Sequence, residues 1–334
     1  MPKPWEELSE AVQDVERILI LLHDDPDPDA VASGVALRHL LQEVWGIESK
    51  VAYRGIIGRA ENKALVAYLD AELLQLEDGD VETEWPVALV DVQPGAGNSP
   101  IPAGYPALVV IDHHSDRGGE DAVFRDVRPW IGASSTIVTQ YMRAADLNPP
   151  AKIATGLFYG IKTDTKALSR DTSAADISAY FHLLPFVDVD AVVEIENAQV
   201  PAAYFRKLAN AMQSASVYDG VVISYLGQAE YPDLTAEIAD LLLRLEGIRW
   251  VVCMGRYDDE IYLSVRARDE DANAEEVAQV VVGEVGSAGG RNTMAGGQVP
   301  LNGQDPEKLA QRLRLRALSH LQIPLDHPGE PLVP

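Results

Sequence analysis

Cys253 is the only cysteine in 334 residues, so no internal disulfide can form. It lies within Trp250-Val251-Val252-Cys253-Met254, a run that reads as a buried strand, and a small thiol there is core filling. Positive charge is also scarce. Lys and Arg number 27 against 52 Asp and Glu, a net charge of -25. Non-specific binding to long nucleic acid depends on cationic side chains neutralising phosphates. The imbalance therefore argues against a long duplex as partner, but not against a short nucleotide. No apolar run approaches the roughly 20 residues that cross a bilayer, so no membrane partner is expected. Met1-Pro2-Lys3-Pro4-Trp5-Glu6 lacks the basic-then-apolar layout of a signal peptide. The expected location is the cytoplasm. There is no internal repeat and no low-complexity tract.

The hydrophobic share, 47%, is ordinary for a globular protein, and the length suits two cores. Arg17–Leu22 is a continuous apolar run, the pattern of a strand buried on both faces. Lys50–Tyr53, Val87–Val90 and Ala107–Ile111 repeat it. Helical patterns run over residues 5–16, Ala30–Val44, Glu61–Leu69, Ser134–Ala145 and Ala151–Gly160. Alternating strands and helices predict an α/β fold with a parallel sheet. From Ala174 to Ser214 the pattern is almost wholly helical. A second, smaller α/β unit follows. It has a strand over Val217–Leu226 and a helix over Asp233–Leu245. Arg249–Gly255 and Glu260–Arg268 form an antiparallel pair. A helix over Ala274–Val285, a short strand over Gly297–Leu301 and a final helix over Pro306–Leu321 complete it. The Pro-rich tail reads as disordered or loosely attached.

Acid and imidazole groups cluster where strands should end. His23-Asp24-Asp25-Pro26-Asp27-Pro28-Asp29 follows the first run, Asp91 the third and Asp112-His113-His114 the fourth. Gly160-Ile161-Lys162-Thr163-Asp164-Thr165 follows a helical stretch. Ligands of such sheets collect beyond the carboxyl ends of the strands, and like-charged groups gathered there need cations between them. The economical reading is a pair of divalent ions, which usually means phosphate ester hydrolysis. Asp24 and Asp25 are read as an acidic turn, with Asp29 able to cap the following helix. His39, His182, His320 and His327 are read as structural or solvent-exposed, and Ser134-Ser135-Thr136 as a helix start.

Together, His23-x-x-Pro26-Asp27-x-Asp29, Asp91, Asp112-His113-His114 and Gly160-x-x-Thr163-Asp164-Thr165 resemble the motifs of the DHH phosphoesterase family, in order and approximate spacing. Gly289-Gly290-Arg291-Asn292-Thr293-Met294-Ala295-Gly296-Gly297 resembles the glycine-rich substrate motif of the DHHA1 domain. The resemblance implies a DHH domain over residues 1–188, a helical connector over 189–214, a DHHA1-like domain over 215–323 and a tail over 324–334, with a cleft between the domains. It implies one metal on His23, Asp27 and Asp91, and a second on Asp29, Asp91, His113 and Asp164. His114 would face the substrate phosphate, and Asp112 would fix an imidazole or backbone. Carboxylate and imidazole ligands with open positions suit two Mn²⁺, with Mg²⁺ or Co²⁺ as substitutes. Arg291, Gly289, Gly290, Asn292, Gly296 and Gly297 would cradle substrate, joined by Arg170, with Arg268 a further anion candidate. The family usually has histidine where this chain has Arg291; arginine offers a permanent, bidentate donor instead.

The resemblance further implies hydrolysis of short oligoribonucleotides, dinucleotides or 3′-phosphoadenosine 5′-phosphate, with ion-activated water as nucleophile. Alternatives are a nucleotide-binding regulator with little turnover, or a cyclic-dinucleotide or pyrophosphate hydrolase. The pyrophosphate option ranks lower because the family's pyrophosphatases carry a different C-terminal domain. A homodimer is left open.

Overall fold

The apolar run after the first helix forms the centre of a six-stranded sheet in a computed structural model that describes residues 4–77, 79, 81, 83–118 and 122–333. The chain divides into two compact units between Ala198 and Gln199.

The first unit runs α1 (Pro4–Val12), β1 (Arg17–Leu21), α2 (Pro28–Trp45), β2 (Glu48–Arg54), α3 (Ala60–Leu69), β3 (Leu73–Leu76), β4 (Val87–Val90), β5 (Ala107–Asp112) and β6 (Ala122–Val127). Helices α4 (Ser134–Ala144), α5 (Ala151–Asp164), α6 (Ala174–Leu183) and α7 (Val189–Glu196) follow. All its strands pair in parallel, in the order β3-β2-β1-β4-β5-β6. The chain passes from β1 outward to β2 and β3, then returns to β4 on the other side. The order therefore reverses between β1 and β4, the point beyond whose strand ends such sheets bind their ligands. Ile18, Ile20, Ala88 and Val90 face one core with α2, α4 and α5, while Leu19, Leu21, Val87 and Leu89 face a second. Burial on both faces explains why these strands read as unbroken apolar runs.

Two strands of this sheet escape the sequence pattern. β3 is short and half-exposed at one edge, and β6 carries Arg125 and Asp126 at the other. Edge strands bury only part of their side chains, so the apolar signal fades there. Asp27, not Asp29, caps α2. Its Oδ1 accepts the Ala30 amide at 3.0 Å, and Pro28 occupies the first helical turn, where its missing N–H costs nothing.

The second unit holds α8 (Ala202–Ser214), β7 (Ser216–Tyr218), β8 (Val221–Gln228), α9 (Leu234–Leu242), β9 (Trp250–Tyr257), β10 (Glu260–Ala267), α10 (Ala274–Val282), β11 (Ser287–Arg291), β12 (Met294–Pro300), α11 (Pro306–His320) and β13 (Glu330–Pro331). Its mixed sheet has the order β11-β12-β10-β9-β8-β7-β13, with only β8 and β9 parallel. Val252 and Met254 on β9 face α10 and α11, whereas Val251 and Cys253 face α8 and α9. That alternation buries the Cys253 thiol completely, and burial pushes its pKa up to about 12.

The single strand expected over Val217–Leu226 is a hairpin. Asp219 and Gly220 both take positive φ, 44° and 88°, which is the two-residue turn that an Asp-Gly pair favours. The tail is not loose. Glu330–Pro331 pairs with β7, the Leu332 amide donates to the Ala215 carbonyl at 2.9 Å, and the His327 ring meets Tyr218 edge-on. An open sheet edge at β7 gives the proline-rich segment backbone partners.

Candidate metal centre

Three strand ends and one helix end converge in the first unit. His23 follows β1, Asp91 follows β4, His113 and His114 follow β5, and Asp164 closes α5. Asp27 and Asp29 come from the turn into α2. His23, Asp27 and Asp91 each offer a ligand atom within 4.8 Å of one another, and so do Asp29, His113 and Asp164. Asp91, His113 and His114 form a third such group.

Asp91 lies between the two imidazoles and meets each through a different oxygen. Its Oδ2 is 3.6 Å from His23 Nε2, and its Oδ1 is 3.4 Å from His113 Nε2. His113 Nε2 is also 3.3 Å from Asp164 Oδ2. The other ring nitrogens are already committed. His23 Nδ1 donates to the Asp24 carbonyl at 2.7 Å, and His113 Nδ1 to the Ile131 carbonyl at 3.2 Å. Each bond commits Nδ1, so both Nε2 atoms face the carboxylates, and each can give its lone pair to an ion once it carries no proton, as ligand histidines require. Asp91 Oδ2 and His113 Nε2 are buried without a hydrogen-bond partner. Buried polar atoms are rarely left unmatched, and a divalent cation satisfies both. The donor set thus fits the metal pair.

The electrostatics agree. Burial raises the Asp91 pKa well above the ordinary carboxylate range, and the charges of Asp29, Asp27, Asp112 and Asp164 push it further. Burial and the charge of Asp164 likewise push Asp29 up to about 7. Burial works to lower His23, but the hydrogen bond and charge of Asp27 outweigh it and raise the imidazole to about 9. His23 in turn holds Asp27 below its usual range against the effect of burial. Asp91 also adopts a left-handed backbone, φ 63°, a region open to few residues other than Gly, Asn and Asp.

Two supports carried no signal in the sequence. The Ser134 hydroxyl donates to Asp91 Oδ1 at 2.8 Å. The Ser134 and Ser135 amides donate to Asp29 Oδ2 and Oδ1, at 2.6 and 2.9 Å. The start of α4 therefore has no side-chain cap of its own; a carboxylate more than a hundred residues away serves instead. Gly160 makes room for this. A Cβ there would stand 2.5 Å from Ser135 Oγ and 2.9 Å from Asp29 Oδ1.

Asp112 sits beside the cluster. Its Oδ1 accepts His114 Nδ1 at 2.9 Å and the His113 amide at 2.8 Å, and its Oδ2 accepts Gln93 Nε2 at 2.6 Å. Burial would raise Asp112, but the hydrogen bond and charge of His114 bring it down to about 2. With Nδ1 so held, the half-exposed His114 ring has Nε2 left for other contacts. Asp24 pairs with Arg54 at 2.6 Å and Asp25 accepts the Ile56 amide, so both serve the turn.

The candidates for substrate contact come from both units. Arg170 donates from Nη2 to the Asp164 carbonyl at 2.7 Å and thereby braces the end of α5. Arg268 donates to the Ile248 and Leu243 carbonyls and so ties two backbone segments together. Gly289, Gly290, Arg291, Asn292, Gly296 and Gly297 belong to the second unit. They form a hairpin rather than a loop, with Gly289 opposite Gly296, Gly290 opposite Ala295 and Arg291 opposite Met294. Small residues let the two strands close tightly: a Cβ on Gly290 would meet the Met294 carbonyl oxygen at 2.4 Å. Arg291 and Asn292 are exposed at its end.

Residues 17–161 match the DHH family, N-terminal domain, and residues 219–315 match the DHHA1 domain. An uncharacterized protein of Methanocaldococcus jannaschii is 36% identical over 286 residues, 85% of this chain and 58% of that protein. A probable manganese-dependent inorganic pyrophosphatase of Streptococcus agalactiae is 27% identical over 167 residues, 49% of this chain and 53% of that protein. The chain thus spans little more than half the length of these curated relatives. The crystal structure of an exopolyphosphatase-related protein from Bacteroides fragilis shares the fold, with a TM-score of 0.71, 15% identity and 96% of each chain covered. Among the described residues, no helix is long and apolar enough to cross a membrane.

Proposed function

Because the chain belongs to the DHH family, with the family's N-terminal domain followed by a DHHA1 domain, we propose that it is a metal-dependent phosphoesterase acting on short oligonucleotides or small nucleotides. The observation that carries this reading is Asp91, whose two oxygens face His23 and His113 separately while Asp91 Oδ2 and His113 Nε2 lie buried without a hydrogen bond. One ion would be held by His23, Asp27 and Asp91, and the other by Asp29, Asp91, His113 and Asp164. Such a pair supplies concentrated positive charge and a water acidic enough to ionise near neutral pH. Manganese suits the mixture of carboxylates and imidazoles, with magnesium or cobalt as substitutes. It is also the metal in the name of the streptococcal relative.

The protein's own groups do the rest. Asp112 holds His114 by Nδ1, leaving Nε2 to meet a phosphoryl oxygen of the substrate. With Nδ1 held by Asp112, the ring presents Nε2 to the charge that grows on that oxygen. Ser134 and the α4 amides hold Asp91 and Asp29 in place before substrate arrives. In the second unit Arg291 and Asn292, at the tip of the β11–β12 hairpin, are the proposed anion contacts, with the neighbouring glycines giving close access. Arg170 adds charge beside Asp164.

The nucleotide reading rests on the DHHA1 match over residues 219–315, the domain whose resemblance implies short-nucleotide substrates. The streptococcal relative favours pyrophosphate as a second reading, since its similarity covers 49% of this chain. The test is product release with Mn²⁺ from a dinucleotide, 3′-phosphoadenosine 5′-phosphate, a cyclic dinucleotide and pyrophosphate. Mononucleotide or phosphate release from the nucleotides supports the first reading, and release from pyrophosphate alone supports the second. Binding without release from any of them, with Mn²⁺, Mg²⁺ or Co²⁺, would make the protein a nucleotide-binding regulator and end the enzyme reading.

A further inference from the structure

Gln93 follows β4 by only a few residues and is almost wholly buried, 2% exposed. An amide side chain has an oxygen that accepts and a nitrogen that donates, and its orientation is set by the groups around it. Here every neighbour agrees. The Gln93 oxygen receives Arg125 Nη2 at 2.8 Å and the Arg117 backbone amide at 3.0 Å, both of which can only donate. Its nitrogen faces Asp112 Oδ2 at 2.6 Å and the Ser115 carbonyl at 3.1 Å, both of which only accept. Arg125 is itself gripped by Asp116, at 2.6 and 3.1 Å. The chain of contacts therefore runs Asp116–Arg125–Gln93–Asp112–His114 and ties the segments that follow β4 and β5 to the body of β6.

Asp112 uses its other oxygen on His114 Nδ1 and on the His113 and His114 amides. Its carboxylate plane is set from one side by Gln93 and from the other by the imidazole. Without Gln93, Asp112 Oδ2 would be a buried acceptor lacking its donor, and the carboxylate would turn to find another. We propose that Gln93 is a positioning residue, whose amide, oriented by Arg125 and the Arg117 amide, locks Asp112 so that His114 keeps Nδ1 inward and presents Nε2 to the substrate. The inference rests on the reading of His114 as the phosphate contact. The Gln93 side chain hydrogen-bonds Asp112, Ser115, Arg117 and Arg125, none of them expected to hold an ion, and so reaches His114 through Asp112.

Two variants test it, Gln93→Ala, which removes the donor, and Gln93→Glu, which keeps the shape but sets a second carboxylate against Asp112. Each should lower kcat by about 10–100-fold, the usual scale for losing a support of this kind, while Mn²⁺ affinity by direct titration stays unchanged. Adding Asp112→Asn to Gln93→Glu restores a donor facing an acceptor with the roles reversed, and should recover part of the lost kcat. A readout independent of turnover is the His114 Nδ1–H resonance in magnesium-loaded protein labelled with ¹⁵N-histidine. It should be a sharp, hydrogen-bonded signal in the unaltered protein and should be lost in Gln93→Ala. Unchanged kcat in both variants, a matching loss of Mn²⁺ affinity, or an intact Nδ1–H signal in Gln93→Ala would each overturn the proposal. If the unaltered protein hydrolyses nothing, the enzyme reading fails, yet the resonance still decides whether Gln93 holds His114.

Discussion

The Ser134 hydroxyl reaches Asp91 Oδ1 at 2.8 Å, so the carboxylate shared by both proposed ions is held by the first residue of a helix that contributes no ligand of its own. Ser134→Ala removes that donor and keeps the backbone amide that serves Asp29. Mn²⁺ affinity or turnover should fall by about 10–100-fold with the fold intact. A manganese titration together with circular dichroism checks this, and an unchanged affinity and rate would show that Asp91 needs no such support.

Asp91→Asn keeps size and shape but removes the charge at the centre of the cluster. Turnover should vanish. Metal-free protein should melt higher than its unaltered counterpart, because a buried carboxylate crowded by four others is relieved. Added Mn²⁺ should then raise the melting temperature less than it does for the unaltered protein. Thermal melts with chelator and with Mn²⁺ separate these effects, and full activity in the variant would remove the bimetallic centre.

Protonation gives the metal-free protein an unusual pH dependence. Asp29 rises from 3.8 to about 7 and His23 from 6.5 to about 9. A group whose folded pKa is raised stabilises the fold fully below its unfolded pKa and loses that contribution as pH climbs through the folded value. Metal-free protein should therefore lose stability between about pH 4 and 9 as first Asp29 and then His23 give up protons. Metal needs the deprotonated groups, so Mn²⁺ affinity should rise over the same range and binding should release protons. Calorimetry in buffers of different ionisation enthalpy measures that release; none at pH 7 would contradict the shifts.

Gly160→Ala places a methyl group against Ser135 Oγ and Asp29 Oδ1. The helix backbone itself tolerates alanine well, so the cost should fall on the site. Mn²⁺ affinity should drop more than the chelated protein's melting temperature. The reverse pattern, a lower melting temperature with normal metal binding, would mean that Gly160 serves packing alone.

The strand ends bearing His23, Asp91 and Asp112 could be read from sequence because each follows an unbroken apolar run, which a doubly covered parallel strand requires. The edge strands could not, since Arg125 and Gln75 lie where only one side is covered. Asp219-Gly220 did carry a hairpin signal, but the apolar residues on both sides masked it. The glycines near Arg291 suggested a loop, whereas closely paired strands need small residues just as much. The contacts of Ser134, Gln93 and Asp29 join positions far apart in the chain, and nothing local distinguishes those residues from an ordinary helix start or turn.

The left-handed backbone of Asp91 narrows what this position can ever become. Glutamate would keep the charge but bring a longer side chain to a geometry it resists, asparagine would fit the geometry but not the charge, and glycine would relax the turn and offer no ligand. Two independent filters, one steric and one electrostatic, overlap on a single amino acid, and mutational drift at this residue has almost nowhere to go.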